Sequence, residues 1–227
     1  MVKSKITYVF LVLLLILVCL FMPMTKQAAE PCDVAALQDV PNSSLQVIVV
    51  QLIKGFEVKV TACKKRKNSW IQALDSFPAV VGKEGIAPIG KKKEGDMKTP
   101  AGLYSLGTAF GSEPLALKMD FKYITADDKF IDDVSHERYN TWVSGDTNAK
   151  SYELMLIDAY KMGAVINYNM NPVVPGAGSA IFIHLWQSIN VGTHGCLALD
   201  KPHLLKLLYW LDKKQHPFIY ISSSVSL

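Results

Sequence analysis

The stretch "THGCLALD", Thr193 to Asp200, places Cys196 two residues after His194 and directly after Gly195, and a second histidine, His184, lies upstream in "AIFIHLW". These residue types can support nucleophilic catalysis. A cysteine attacks a carbonyl as its thiolate, and a histidine close in space can take the proton. Gly195 lets a substrate approach the backbone and lets N–H groups point at a developing oxyanion, while Thr193 offers a further hydroxyl. The same residues admit a plainer reading. A lone cysteine in "GCLAL" packs as a small hydrophobe, a strand histidine is commonly satisfied by a backbone group, and His194 and His203 read as solvated loop and helix-surface residues. On residue types alone, nucleophile and inert filler are evenly matched. Zinc fits less well, although His184, His194, Cys196 and His203 are all legal ligands: H-x-C is cramped for two ligands of one tetrahedral ion, and no C-x-x-C pair anchors it. No metal and no cofactor are expected.

The elements that must position these groups are mostly strands. "AVINY" and "AIFIHLW" read as two strands joined by a Pro- and Gly-bearing segment, and the two-residue period puts Phe182, His184 and Trp186 on one face of the second. "SLQVIVVQL" and "FEVKVTACK", separated at Gly55, predict a β-hairpin, and "PFIYIS" a final strand. Between them, the Gly- and Pro-rich run from Trp70 to Gly107 holds no helical period, and the polar, aromatic middle suits short strands and loops, with one helical turn predicted near Ser151 to Leu156. Leucines at 204, 205, 207, 208 and 211 form one apolar helical stripe, with Asp200 as N-cap and Pro202 in the first turn. The expected architecture is a mainly β domain over about residues 45–222 with one solid helix near its C-terminus.

The chain has 227 residues and opens on Lys3 and Lys5 followed by an almost unbroken apolar run to Met24. Residues 1–29 read as an export signal, either cleaved near Ala28 and Ala29 or retained as a membrane anchor, with 30–44 as a linker. Export places the remaining Cys32, Cys63 and Cys196 in an oxidising compartment. An odd count leaves at least one thiol over; pairing Cys32 with Cys63 leaves Cys196 free, and three unpaired cysteines is the alternative. The net charge of +4 is mild. A nucleic-acid partner would need more basic charge on one face with interleaved aromatics. Lys83, Lys91 to Lys93 and Lys98 read either as solvated loop charges or as attraction for an acidic polymer.

"GSAIFIHLWQSINVGTHGC" resembles the active-site segment of the YkuD-type L,D-transpeptidases, in which a strand histidine precedes a Ser/Thr-x-Gly-Cys loop. "VGKEGIAPIGKKKEGDMKTPAGLYSLGTAFG", "ERYNTWV" and "YNMNPVVPGAGSAIFIH" are similar to further blocks of that family in the same order, from about Gln46 to Ile221. The resemblance implies a mainly β, sandwich-like fold with a C-terminal helix, and cysteine acyl transfer on peptidoglycan stem peptides. It implies Cys196 as nucleophile, His184 as proton donor and acceptor, His194 as auxiliary, and Thr193 and Gly195 flanking the nucleophile, with the N–H groups of Gly195 and Cys196 as oxyanion hole. Ala198 stands where many relatives carry Arg or Asn. The acceptor would be a stem amine, an envelope-protein lysine or water. Location would be the periplasm or cell envelope, with membrane contact only through an uncleaved N-terminal segment. A hydrolase of the same fold and an inactive wall-binding module are the alternatives.

Overall fold

The computed structural model describes residues 30–32 and 37–225, so the expected export segment, 1–29, lies outside the described residues. Among those described, no helix is long and apolar enough to cross a membrane. The hairpin predicted at Gly55 is formed by β1 (Gln46–Lys54) and β2 (Glu57–Arg66); Gly55 takes a φ of 57°, which a side chain rarely tolerates. After it come β3 (Ser69–Gln72), β4 (Phe77–Val80), β5 (Ile86–Ala87), β6 (Thr99–Pro100), β7 (Gly102–Gly111) and β8 (Phe121–Tyr123). The polar middle contributes β9 (Asp128–Ile131), β10 (Trp142–Ser144) and β11 (Tyr152–Leu154). Then follow β12 (Met162–Ile166), β13 (Phe182–Leu185), β14 (Leu197–Leu199), the helix α1 (Lys201–Trp210) and β15 (Phe218–Val225).

Hydrogen bonding links the larger strands into a circuit. The order β1-β15-β7-β12-β13-β14-β4-β2 returns to β1 through the hairpin, leaving β3 and β8 as attachments and β9, β10 and β11 as a separate small sheet. Closure pairs both edges of β1 and β2, so the strands richest in Val and Ile present no free edge. Their inward side chains, among them Ile48, Val50, Val58, Val60, Ile183, Leu197 and Leu199, meet in one core. Helix α1 adds Leu204, Leu207 and Leu208 to it, and Leu211 joins them from the C-cap, each side chain contributing roughly 1.5–3 kcal/mol by leaving water. Asp200 caps this helix as the sequence predicts, accepting the His203 N–H, with Pro202 in the first turn. The mainly β sandwich with a C-terminal helix is the fold observed.

Two expectations change, and the cysteine pairing is the one expected first. The helical turn at Ser151 to Leu156 is instead β11, because pairing with β9 satisfies its backbone; a 3-10 turn follows only at Asp158–Tyr160. The stretch read as a linker is in its described part packed against the domain: Glu30 and Cys32 hydrogen-bond with the β3 region, and Leu37 and Val40 are buried with Val47 and Val49. Cys32 and Cys63 are joined as a disulfide with a Cα–Cα distance of 6.3 Å, which ties this stretch to β2 and leaves Cys196 free.

Candidate active site

Strands β13 and β14 run parallel, with His184 opposite Ala198, and Cys196 sits at the loop end just before β14. Cys196 and His184 line one cavity of about 720 Å³ together with Thr193, His194 and Gly195, whereas His203 lies outside it. His184 stands in register between Gly163 on β12 and the fully buried Ala198 on β14. A Cβ at Gly163 would lie 2.4 Å from the Ile183 carbonyl oxygen and 2.6 Å from the Phe110 ring.

The protonation state of His184 follows from one contact. Nδ1 lies 2.8 Å from the Leu185 carbonyl oxygen, which can only accept, so Nδ1 carries the proton and Nε2 keeps its lone pair. Burial pushes the imidazole down to about 4, leaving it neutral at pH 7. Tyr160 stands edge-on to the ring at 5.1 Å. Cys196 is likewise held neutral. Burial, then the negative charge of Glu153, push its thiol well above the ordinary range, against smaller lowering from the Phe182 N–H and Lys92. Its Sγ donates to the Ala180 carbonyl at 3.2 Å and accepts the Phe182 N–H at 3.3 Å. The resting pair is thiol and imidazole, so nucleophilic attack has to be coupled to loss of the thiol proton.

Threonines fasten the loop. Thr193 donates its hydroxyl to the Cys196 carbonyl at 2.7 Å and accepts the Gly195 N–H at 3.1 Å. Thr99, fully buried on β6, donates to the same carbonyl at 3.2 Å and accepts the Gly82 N–H at 2.9 Å. The expected oxyanion pair is thereby halved: the Gly195 N–H is already engaged, whereas the Cys196 N–H makes no backbone hydrogen bond among the described residues. Gly195 has a φ of 151°, and a Cβ there would sit 3.1 Å from the Lys98 carbonyl oxygen, so glycine is required by the close passage of two backbones.

Several residues of the site carry no local sequence signal. Buried Asn140 accepts the Ala180 N–H at 3.1 Å and donates to the carbonyls of Tyr168 and Asn169 at 3.0 and 2.7 Å. It thus pins Ala180, whose φ is 53° and whose carbonyl receives the thiol. Glu153 accepts the Tyr160 hydroxyl. Of the lysines read as loop charges, Lys92 differs: its side chain is 4% exposed and pairs with Asp96 at 2.6 Å in the cavity wall, whereas Lys83, Lys91 and Lys93 are exposed. His194 is at the cavity but exposed, and His203 is half-buried, bonded to Asp200 at 2.7 Å and stacked on Phe77. Among the described residues, no group of three His, Cys, Asp or Glu side chains is disposed to hold a metal ion.

The model of the YkuD L,D-transpeptidase catalytic domain matches residues 58–220. No curated protein matches the chain. Among solved structures, the helical cell shape determining protein Pgp2 from Campylobacter jejuni is similar at a TM-score of 0.44 and 18% identity, over 83% of this chain and 53% of that one. The chain spans about half the length of that protein.

Proposed function

The chain belongs to the family of YkuD L,D-transpeptidase catalytic domains, and from that premise we propose that it is an exported cysteine acyltransferase of peptidoglycan stem peptides. The observation that carries this reading is the pairing in one cavity of a free cysteine with a histidine whose tautomer leaves Nε2 unprotonated. In the proposed reaction, Cys196 loses its proton to His184 and its sulfur attacks the carbonyl at the L-centre of the diamino acid in a tetrapeptide stem. The amide bond to the terminal D-alanine breaks, His184 returns the proton to the departing amine, and a thioester remains. The Cys196 N–H is the backbone donor open to the oxyanion. An amine of a second stem or of an envelope protein then resolves the thioester as transpeptidase chemistry; water in its place gives a carboxypeptidase. His184, neutral across the physiological range, can serve either acceptor as base. Thr193 and Gly195 hold the loop, and His194 assists at the mouth. Residues 1–29 deliver the domain at residues 45–222 to the envelope, where its substrate lies.

The test is mass spectrometry of the protein incubated with a disaccharide-tetrapeptide. An adduct on Cys196 with release of D-alanine is expected, both lost in Cys196→Ser. His184→Ala should slow adduct formation by about 100-fold or more. Near-normal acylation in that variant would assign the base elsewhere, and absence of adduct across amidated and non-amidated stems would overturn the reading.

A further inference from the structure

The carboxylates of the cavity have no part in the chemistry above, and their balance of charge points to what the cavity accepts. On strand β11 Tyr152 and Leu154 are exposed at the rim of the cavity, and Glu153 between them is half-buried, where one oxygen accepts the Tyr160 hydroxyl. Tyr160 in turn packs edge-on against His184 and Phe182. Beside it Asp132 lines the same wall, with its Oδ1 buried and without a hydrogen-bond partner. Glu94 is satisfied by the Tyr139 and Ser179 hydroxyls, and the buried cation of the wall, Lys92, is committed to Asp96 and the Lys93 carbonyl. Burial and the charges of Asp132 and Glu94 push Glu153 up to about 7, so the group is poised to ionise when a positive charge arrives.

We propose that Glu153, with Asp132, reads a primary ammonium on the peptide bound in this cavity, so that the preferred donor is a stem whose diamino-acid side chain ends in a free amine. This rests on the reading of the site as one for stem peptides. An ammonium brings three donors, one of them for the unused oxygen of Glu153, and the carboxylate of Asp132 beside it adds negative charge to the same wall. A metal ion does not fit the same groups, since no three acidic, His or Cys side chains converge suitably among the described residues. The arrangement also couples recognition to reactivity. Above about pH 7, where Glu153 is ionised, its charge opposes ionisation of Cys196, and a bound ammonium cancels that field.

The experiment measures Kd for two tetrapeptide stems, one with the side-chain amine free and one with it acetylated, on Cys196→Ala protein with and without Glu153→Gln. Gln keeps an acceptor for Tyr160 while removing the charge. Cys196→Ala should favour the free amine by about 10-fold, as one charge-assisted contact allows, and the added Glu153→Gln should reduce the preference below about 3-fold. In the background with Cys196 intact, Glu153→Gln should also raise the rate of Cys196 alkylation by iodoacetamide by about 3-fold or more at pH 8 but not at pH 6, a pH dependence that loosened packing alone would not give. Equal binding of the two stems, binding of neither, or a preference untouched by Glu153→Gln would overturn the proposal. Selective binding without D-alanine release would leave it standing and overturn the acyltransfer reading instead.

Discussion

The hydroxyl of Thr99 reaches across 97 residues of chain to the carbonyl oxygen of Cys196, at 3.2 Å, while accepting the Gly82 N–H at 2.9 Å. The relationship joins the loop that carries the candidate nucleophile to the segment after β4, and it does so in a fully buried position. Together with Thr193 it fixes the peptide plane at the nucleophile from two sides.

Thr99→Val keeps shape and removes both contacts, leaving the buried Gly82 N–H unpaired. A loss of about 1–3 kcal/mol is expected in urea unfolding, with Thr99→Ser recovering most of it. Acylation of Cys196 should fall more steeply than stability predicts, read as adduct formation under conditions where the variant remains folded. Equal acylation in Thr99→Val and wild type would show that the clamp does not position the cysteine.

Asn140 is buried and makes three hydrogen bonds to backbone groups of the segment between β12 and β13. Asn140→Ala should cost about 2–4 kcal/mol, since three backbone partners lose a bond each in a dry setting. Asn140→Asp retains the acceptor for Ala180 but turns a carboxylate toward two carbonyls, so it should also destabilise. Denaturant midpoints of the two variants check this; a neutral effect of Asn140→Asp would mean the donor contacts are dispensable.

The pH dependence of stability carries two opposed contributions. His184 sits at about 4 when folded, below the roughly 6.5 of an unfolded histidine. Between those values only the unfolded chain binds the proton, so the His184 contribution is complete above about 6.5 and is lost as pH falls toward 4. Glu153, raised to about 7 from an unfolded value near 4.5, acts in reverse: its contribution is complete below the unfolded value and is lost as pH rises through 7. Urea midpoints at pH 5 and 7.5 should therefore show His184→Asn losing less stability on acidification than wild type, and Glu153→Gln gaining relative to wild type at pH 7.5. Parallel curves for all three proteins would count against both assignments.

Reduction of the disulfide should loosen the N-terminal end of the domain without removing the cavity. The bridge spans 31 positions of sequence, for which loop-closure entropy gives a contribution of about 3–4 kcal/mol. Cys32→Ser/Cys63→Ser should lower the unfolding midpoint accordingly, while the rate of Cys196 alkylation stays within about 2-fold, because Cys196 packs in a different cluster from the bridge. A large change in that rate would show that the two regions are coupled.

Much of this was readable locally. Asp200, Pro202 and the leucine spacing determine the helix, because a cap and a 3.6-residue stripe involve only near neighbours. Gly55 and the alternating valines determine the hairpin for the same reason. Cys196 and His184 stand out by type and by the block around them, even though type alone could not separate a nucleophile from packing. The segment 151–156 defeated local reading because "SYELML" alternates and also carries helix formers; its conformation depends on β9, which only the folded chain supplies. The same holds for the site's supports. Thr99, Asn140, Glu153 and Tyr160 come from distant parts of the chain, and their value lies in hydrogen bonds and fields that exist only after closure of the strand circuit removes water. Sequence by itself determined the helix, the hairpin and the candidate cysteine and histidine. Tertiary structure decided the proton on Nδ1 of His184, the neutral thiol, the engaged Gly195 N–H and the acidic wall, because each depends on which groups share a buried space.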